Sequence, residues 1–172
     1  LDIKQSTIAS NAATNATLNN LGAVNVSNTI FDNMVGFEHA GGGALVSNYN
    51  LIKDESKAGP LQYVGVGSKI GNPHFDLFNG FGENKYVLLP ISKAINAGGV
   101  SEIPLDSCDV DGDLDLNEAL PTDFANNPRI ALCGMVDIGA FEHQTQNINW
   151  VVNNVNDGQL GSFRSIIGCA LD

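Results

Sequence analysis

Seven carboxylates fall within 17 residues, Glu102, Asp106, Asp109, Asp111, Asp113, Asp115 and Glu118, and no Lys or Arg stands among them. Such a density must be solvated or neutralised, because like charges this close repel. In Asp109-Val110-Asp111-Gly112-Asp113-Leu114-Asp115-Leu116-Asn117, side-chain oxygens recur at every second position. A hard cation such as Ca²⁺ takes six to eight oxygen ligands and suits that alternation. Asp109, Asp111, Asp113, Asp115, Asn117 and Glu118 are therefore the candidate metal ligands, set against a solvated acidic loop as the alternative.

A second group, Asp123, Arg129, Asp137 and Glu142, offers ion-pair chemistry instead, with Arg129 the sole Lys or Arg among residues 94–163. A guanidinium presents a planar fork that suits a carboxylate held in bidentate fashion. The sharper reading makes Arg129 a lyase-type base, as pectate-lyase-like folds use Arg beside Ca²⁺ ligands; the plainer one makes the group a structural cluster. Cys108 and Cys133 flank the acidic loop, and form either a disulfide in an oxidising compartment or two independent thiols, with Cys169 left over. His39, His74 and His143 lack the spacing of a zinc site, and no Ser lies in a G-x-S-x-G elbow.

The elements that must position these groups are short. The chain has 172 residues, a formal charge of −11 from 8 Lys and Arg against 19 Asp and Glu, 43% hydrophobic residues, 19 Gly and 21 Asn. That acidity disfavours nucleic acid and anionic bilayers, and the Asn and Gly content points to a turn-dense β protein without long helices. No run is long enough to insert in a membrane, and both ends read as cuts within a longer polypeptide.

Ser6-Thr7-Ile8-Ala9-Ser10-Asn11 aligns with Asn28-Thr29-Ile30-Phe31-Asp32-Asn33 and with Asn50-Leu51-Ile52-Lys53-Asp54, each at an offset of 22. A period of this size, built of short β-branched runs between Asn and Gly turns, predicts a β-solenoid with stacked coils about 4.8 Å apart. Ile8, Ile30 and Ile52 are then one inward ladder, and Asn11, Asn33 and Asp54 a turn ladder. Gly41-Gly42-Gly43 reads as a turn, without the Lys and Ser or Thr of a phosphate loop. Phe75, Phe78, Phe81 and Tyr86 are either core packing or a sugar-stacking row.

From about residue 23 to 144 the order of motifs resembles a bacterial surface-protein family of right-handed parallel β-helices that carry a choice-of-anchor Q region. The residues that carry the resemblance are Asn28-Thr29-Ile30-Phe31-Asp32-Asn33, Ser47-Asn48-Tyr49-Asn50-Leu51-Ile52 and Asn72-Pro73-His74-Phe75. After them come Leu88-Leu89-Pro90-Ile91-Ser92-Lys93-Ala94-Ile95-Asn96-Ala97-Gly98, Asp123-Phe124-Ala125-Asn126-Asn127-Pro128-Arg129 and Val136-Asp137-Ile138-Gly139-Ala140-Phe141-Glu142. Lys93 and Asn96 replace the family's Pro and Asp. Val155, Asp157, Gly158, Gly161, Ser162, Phe163, Arg164 and Ile166 resemble the segment that opens a further β-helix, with Ser162 as the N-cap of a short helix.

The resemblance implies an all-β fold, a right-handed parallel β-helix with coils of about 22 residues, closed by an irregular region over 90–144. Residues 1–144 would be this unit, and 145–172 the linker, strand and capping helix of a following module. It also implies an extracellular or cell-surface setting and brings no catalytic residues. The acidic loop separately resembles the first part of a dockerin or EF-hand loop, although Leu114 stands where the turn Gly belongs and Leu120 where the bidentate acid belongs. The expected function is a non-catalytic structural or adhesive module of a large secreted or surface bacterial protein, with Ca²⁺ as cofactor and neighbouring modules as head-to-tail partners. A polysaccharide-processing or carbohydrate-binding role, with glycans as partners, is the alternative.

Overall fold

The computed structural model describes residues 1–9, 18–20, 22–32, 37–39, 43–54, 65–77, 86–131 and 134–143, and for 18–20 and 37–39 the backbone only. Among the described residues nine short strands come first: β1 Asp2–Lys4, β2 Thr7–Ile8, β3 Leu18–Asn20, β4 Val24–Ser27, β5 Ile30–Phe31, β6 Phe37–His39, β7 Leu45–Asn48, β8 Leu51–Ile52 and β9 Lys69–Ile70. They pair in parallel as three small sheets, ordered β1-β4-β7, β2-β5-β8-β9 and β3-β6. Helix is almost absent among the described residues, the one element being a 3₁₀ turn at Val100–Glu102.

This overturns the expected right-handed parallel β-helix. The described residues make separate sheets of two to four strands, none of the strands extends past Ile70, and no closed solenoid forms. The described residues between 71 and 143 run irregularly, with isolated antiparallel bridges such as Phe75 to Leu88 and Leu105 to Ala119. The physical reason lies in how the second half is spent: it packs side chains onto a sheet instead of adding strands to it. The segment 145–172, with its expected strand and helix, lies outside the described residues, as do Asn11 and Asn33 of the expected turn ladder.

The isoleucine ladder is also corrected. Thr7 pairs with Ile30, Ile30 with Leu51 and Leu51 with Lys69, so successive steps are 23, 21 and 18 residues. Ile8 accordingly stacks on Phe31, Phe31 on Ile52 and Ile52 on Ile70, leaving Ile30 on the neighbouring row. Adjacent residues of a strand face opposite sides, so a slip of one position moves a side chain through the sheet. Phe31 and Ile52 pack with Val24, Val26, Ile3 and Ile8, whereas Ile30 and Leu51 pack with Phe75, Leu88, Ala94 and Ile138. The sheet is thus buried on both faces, and the second face is covered by the irregular half of the chain. Phe75 meets Tyr86 edge to face at 5.4 Å in this core, while Phe78 and Phe81 lie outside the described residues.

The corners between β1 and β2, β4 and β5, and β7 and β8 are set by Gln5, Asn28 and Tyr49, all with φ near +50°. Left-handed backbone is costly for residues other than Gly, and Asn bears it best because its short amide bonds locally. Asn28 donates Nδ2 to the Gly99 carbonyl and accepts the Gly99 N–H on Oδ1, both at 2.8 Å. One fully buried amide therefore ties a sheet corner to the irregular half. Asn50 satisfies the next position by accepting the Thr29 N–H and donating to Val26 O and Ser47 Oγ. The Tyr49 ring sits against Gly67 and Gly99, where a Cβ would come within 2.2 and 2.5 Å of ring carbons.

Candidate functional site

The structure brings Asp123, Arg129, Asp137 and Glu142 into one buried cluster against the corner at Gln5. Arg129 is 2% exposed, and both of its terminal nitrogens are engaged. Nη1 donates to Glu142 Oε1 at 3.0 Å and to Gln5 Oε1 and the Gly139 carbonyl at 3.2 Å, and Nη2 donates to the Ala140 carbonyl at 3.0 Å. Glu142 Oε2 accepts the Asp137 N–H. Asp137 in turn accepts the N–H groups of Asn96 at 2.7 Å and His143 at 2.6 Å. Asp123 closes its own turn by accepting from Ala125 and Asn127, and reaches across to the Glu142 N–H.

Local sequence explains the positions. Gly139 has φ +115°, and a Cβ there would lie 2.8 Å from Ile30 Cδ1 and 3.1 Å from Thr7 Oγ1, so this turn presses directly onto the sheet. Its N–H donates to the Asn28 carbonyl, and Ile138 N donates to Ala94. Of the two departures from the resembled motif, Lys93 reaches the Ile70 carbonyl at 3.3 Å, and Asn96 contributes its backbone N–H rather than its side chain.

Three carboxylates around one guanidinium leave the cluster short of positive charge. Burial raises the Asp137 pKa, against the hydrogen bonds from Asn96 and His143. Burial, and then the Asp137 charge, push Glu142 up to about 8, even though the Asp137 N–H and Arg129 pull the other way. The cluster therefore takes up a proton on folding. As a chemical device it holds the end of the chain's irregular half against a sheet corner, and its guanidinium faces inward.

The acidic loop is built differently. Its base is an antiparallel pair in which Asp106 N donates to Glu118 O and Leu120 N to Pro104 O, each at 2.9 Å. Between these ends the acids turn the backbone: Asp109 accepts the Leu114 N–H, Asp111 that of Asp113, Asp113 that of Asp115 and Asp115 that of Asn117. Leu114 adopts φ +72° at the position where the resembled loop carries Gly. Of the expected ligand set, Asp109, Asp111 and Asp113 have oxygens within 4.8 Å of one another, and Glu118 joins Asp111 in a second group completed by Asp106. Asp115 belongs to neither group of acids. Desolvation, then Asp113, Asp111, Asp115 and Asp106, raise the Glu118 pKa.

Cys108 carries a free, exposed thiol at the edge of this loop, and Cys133, the other half of the expected pair, lies outside the described residues. His143 Nδ1 lies 2.9 Å from the Leu88 carbonyl, and His74 is half-buried at a left-handed corner. Sequence reasoning missed Gln5 and Asp106 as site residues. Asp106 stands three positions before the loop's alternating acids and so escapes a linear motif, and nothing in the local sequence of Gln5 marks it as a partner of a residue 124 positions away.

A cleft of about 380 Å³ lies between the two regions, lined by Lys4, Gln5, Val110, Phe124, Asn126 and Arg129 among others. Set against models of protein families, curated proteins and solved structures, the chain matches none.

Proposed function

We propose that the chain is a non-catalytic structural or adhesive module of a large secreted or cell-surface bacterial protein, of the kind its motif order resembles. The observation that carries this reading is the engagement of Arg129. The residue that lyase chemistry would use as a base is 2% exposed and bonded to four acceptors of its own chain. A guanidinium so held supports packing.

Partners in this reading are neighbouring modules, added head to tail. Among the described residues β1 and β9 each have one strand neighbour, so their outer edges are where further pairing would add. Incubation with uronic-acid polymers, with and without Ca²⁺, should release no unsaturated product. Robust cleavage would overturn the proposal.

Carbohydrate binding without turnover is the second reading, favoured by Phe124, which is 57% exposed beside the cleft and braced edge to face by Phe141 at 5.5 Å. Retention on a glycan array that is lost in Phe124→Ala would establish it.

A further inference from the structure

We propose that Asp106, Asp111 and Glu118 form a Ca²⁺ site that clamps the acidic loop to its own base. The three side chains each place a carboxylate oxygen within 4.8 Å of the others, a span that ligands 2.3–2.6 Å from one ion bridge. Crowded acids alone would say little, since exposed ones are readily solvated. Asp106 is different.

It is 1% exposed, its Oδ2 accepts the Val110 N–H at 2.8 Å, and its Oδ1 is sealed from solvent with no hydrogen-bond donor among the described residues. Glu118 Oε1 is sealed and undonated in the same way. A buried carboxylate oxygen without a partner is costly, and the chain places no Lys or Arg between residues 94 and 128 to relieve it. Hard oxygen donors select Ca²⁺ or Mg²⁺ over softer metals, and a loop with open, irregular surroundings suits Ca²⁺, which tolerates variable geometry, better than Mg²⁺, which demands an octahedron.

This site differs from the linear loop reading in a testable way. Asp106 lies outside the alternating acids and is essential here, whereas Asp115 lies inside them and is dispensable. The ion would join the start of the loop, its middle and its end, locking the excursion onto the Asp106–Glu118 backbone pair.

The test is calorimetric titration of the full chain with CaCl₂ in buffered salt, for the wild type and for Asp106→Asn, Glu118→Gln and Asp115→Asn. Saturable binding is expected in the wild type, weakened about tenfold or more in Asp106→Asn and Glu118→Gln and within about twofold of wild type in Asp115→Asn. Circular dichroism in EGTA reports whether Asp106→Asn folds; if it does not, the more exposed Glu118→Gln carries the same comparison. Excess Mg²⁺ should leave the Ca²⁺ isotherm in place. Absence of binding at millimolar Ca²⁺, equal weakening in Asp115→Asn and the site variants, or displacement by Mg²⁺ would overturn the proposal.

Discussion

Carboxylates gather twice in this chain, around Arg129 and along residues 106–118, and the two gatherings meet the same electrostatic problem in different surroundings. Asp123, Asp137 and Glu142 are all buried, and each makes at least one tie beyond its own turn: Asp123 accepts the Glu142 N–H, Asp137 that of Asn96, and Glu142 the Arg129 guanidinium. Their charge is balanced by a guanidinium and by the proton that Glu142 retains. Asp109, Asp111, Asp113 and Asp115 accept N–H groups from residues two to five positions away, and water screens most of what remains. Burial converts an acid into a long-range tie, while exposure leaves it a local turn former. Asp106 stands between the two cases, buried like the first group yet placed at the base of the second.

The comparison breaks most sharply at Arg129. Replacing it in Arg129→Met strands Glu142, Gln5 and two carbonyls in the interior, and loss of one partner of a buried pair costs about 3–5 kcal/mol. Urea denaturation should show that loss for Arg129→Met and a change within about 0.5 kcal/mol for the exposed Asp115→Asn. Equal effects would mean that the two regions do not differ in the way their burial implies.

Acid and base sharpen the contrast next. Glu142 has a pKa of about 8 in the folded chain against an ordinary 4.5, so folding binds a proton between those values. A group that binds a proton on folding contributes its stability fully below its unfolded pKa and loses it as pH rises through the folded one. Melting temperature should therefore fall between pH 5 and pH 8, by the equivalent of a few kcal/mol, and level off above. Asp137, shifted the same way, adds to the slope. In Glu142→Gln the decline should flatten; an unchanged decline would assign it to the net charge of −11 instead.

The smallest effect lies in the loop. Leu114 is 84% exposed and holds φ +72°, a conformation that costs a branched side chain about 1–2 kcal/mol. Leu114→Gly relieves that strain, and the greater freedom of Gly in the unfolded chain offsets part of it. A gain of up to about 1 kcal/mol in the same denaturation experiment is expected, whereas a loss would show that the Leu114 side chain makes a contact its exposure does not suggest.

Much of the local grammar is legible in the residues themselves. Short apolar runs with Thr, Ile and Val between Asn and Gly corners make strands of two to four residues, and the spacing of Asp109, Asp111 and Asp113 makes consecutive turns, because both depend on neighbours a few positions away. The grouping of Asp123, Arg129, Asp137 and Glu142 is also visible, since one cation among so many acids has few alternatives. Register is another matter. An average period of 22 conceals steps of 23 and 21, and that single residue carries Ile30 through the sheet, away from Ile8 and Ile52. Pairing between strands some twenty residues apart is settled by how both faces pack at once, and here the second face is covered by Phe75, Leu88, Ala94 and Ile138 from the irregular half. Among the described residues, the same long-range packing ends the sheets at Ile70 in place of a continuing solenoid, buries Gln5 beside Arg129 and brings Asp106 to Glu118. Those contacts join residues that no local pattern relates, because burial belongs to the folded arrangement as a whole and is not a property of any one segment.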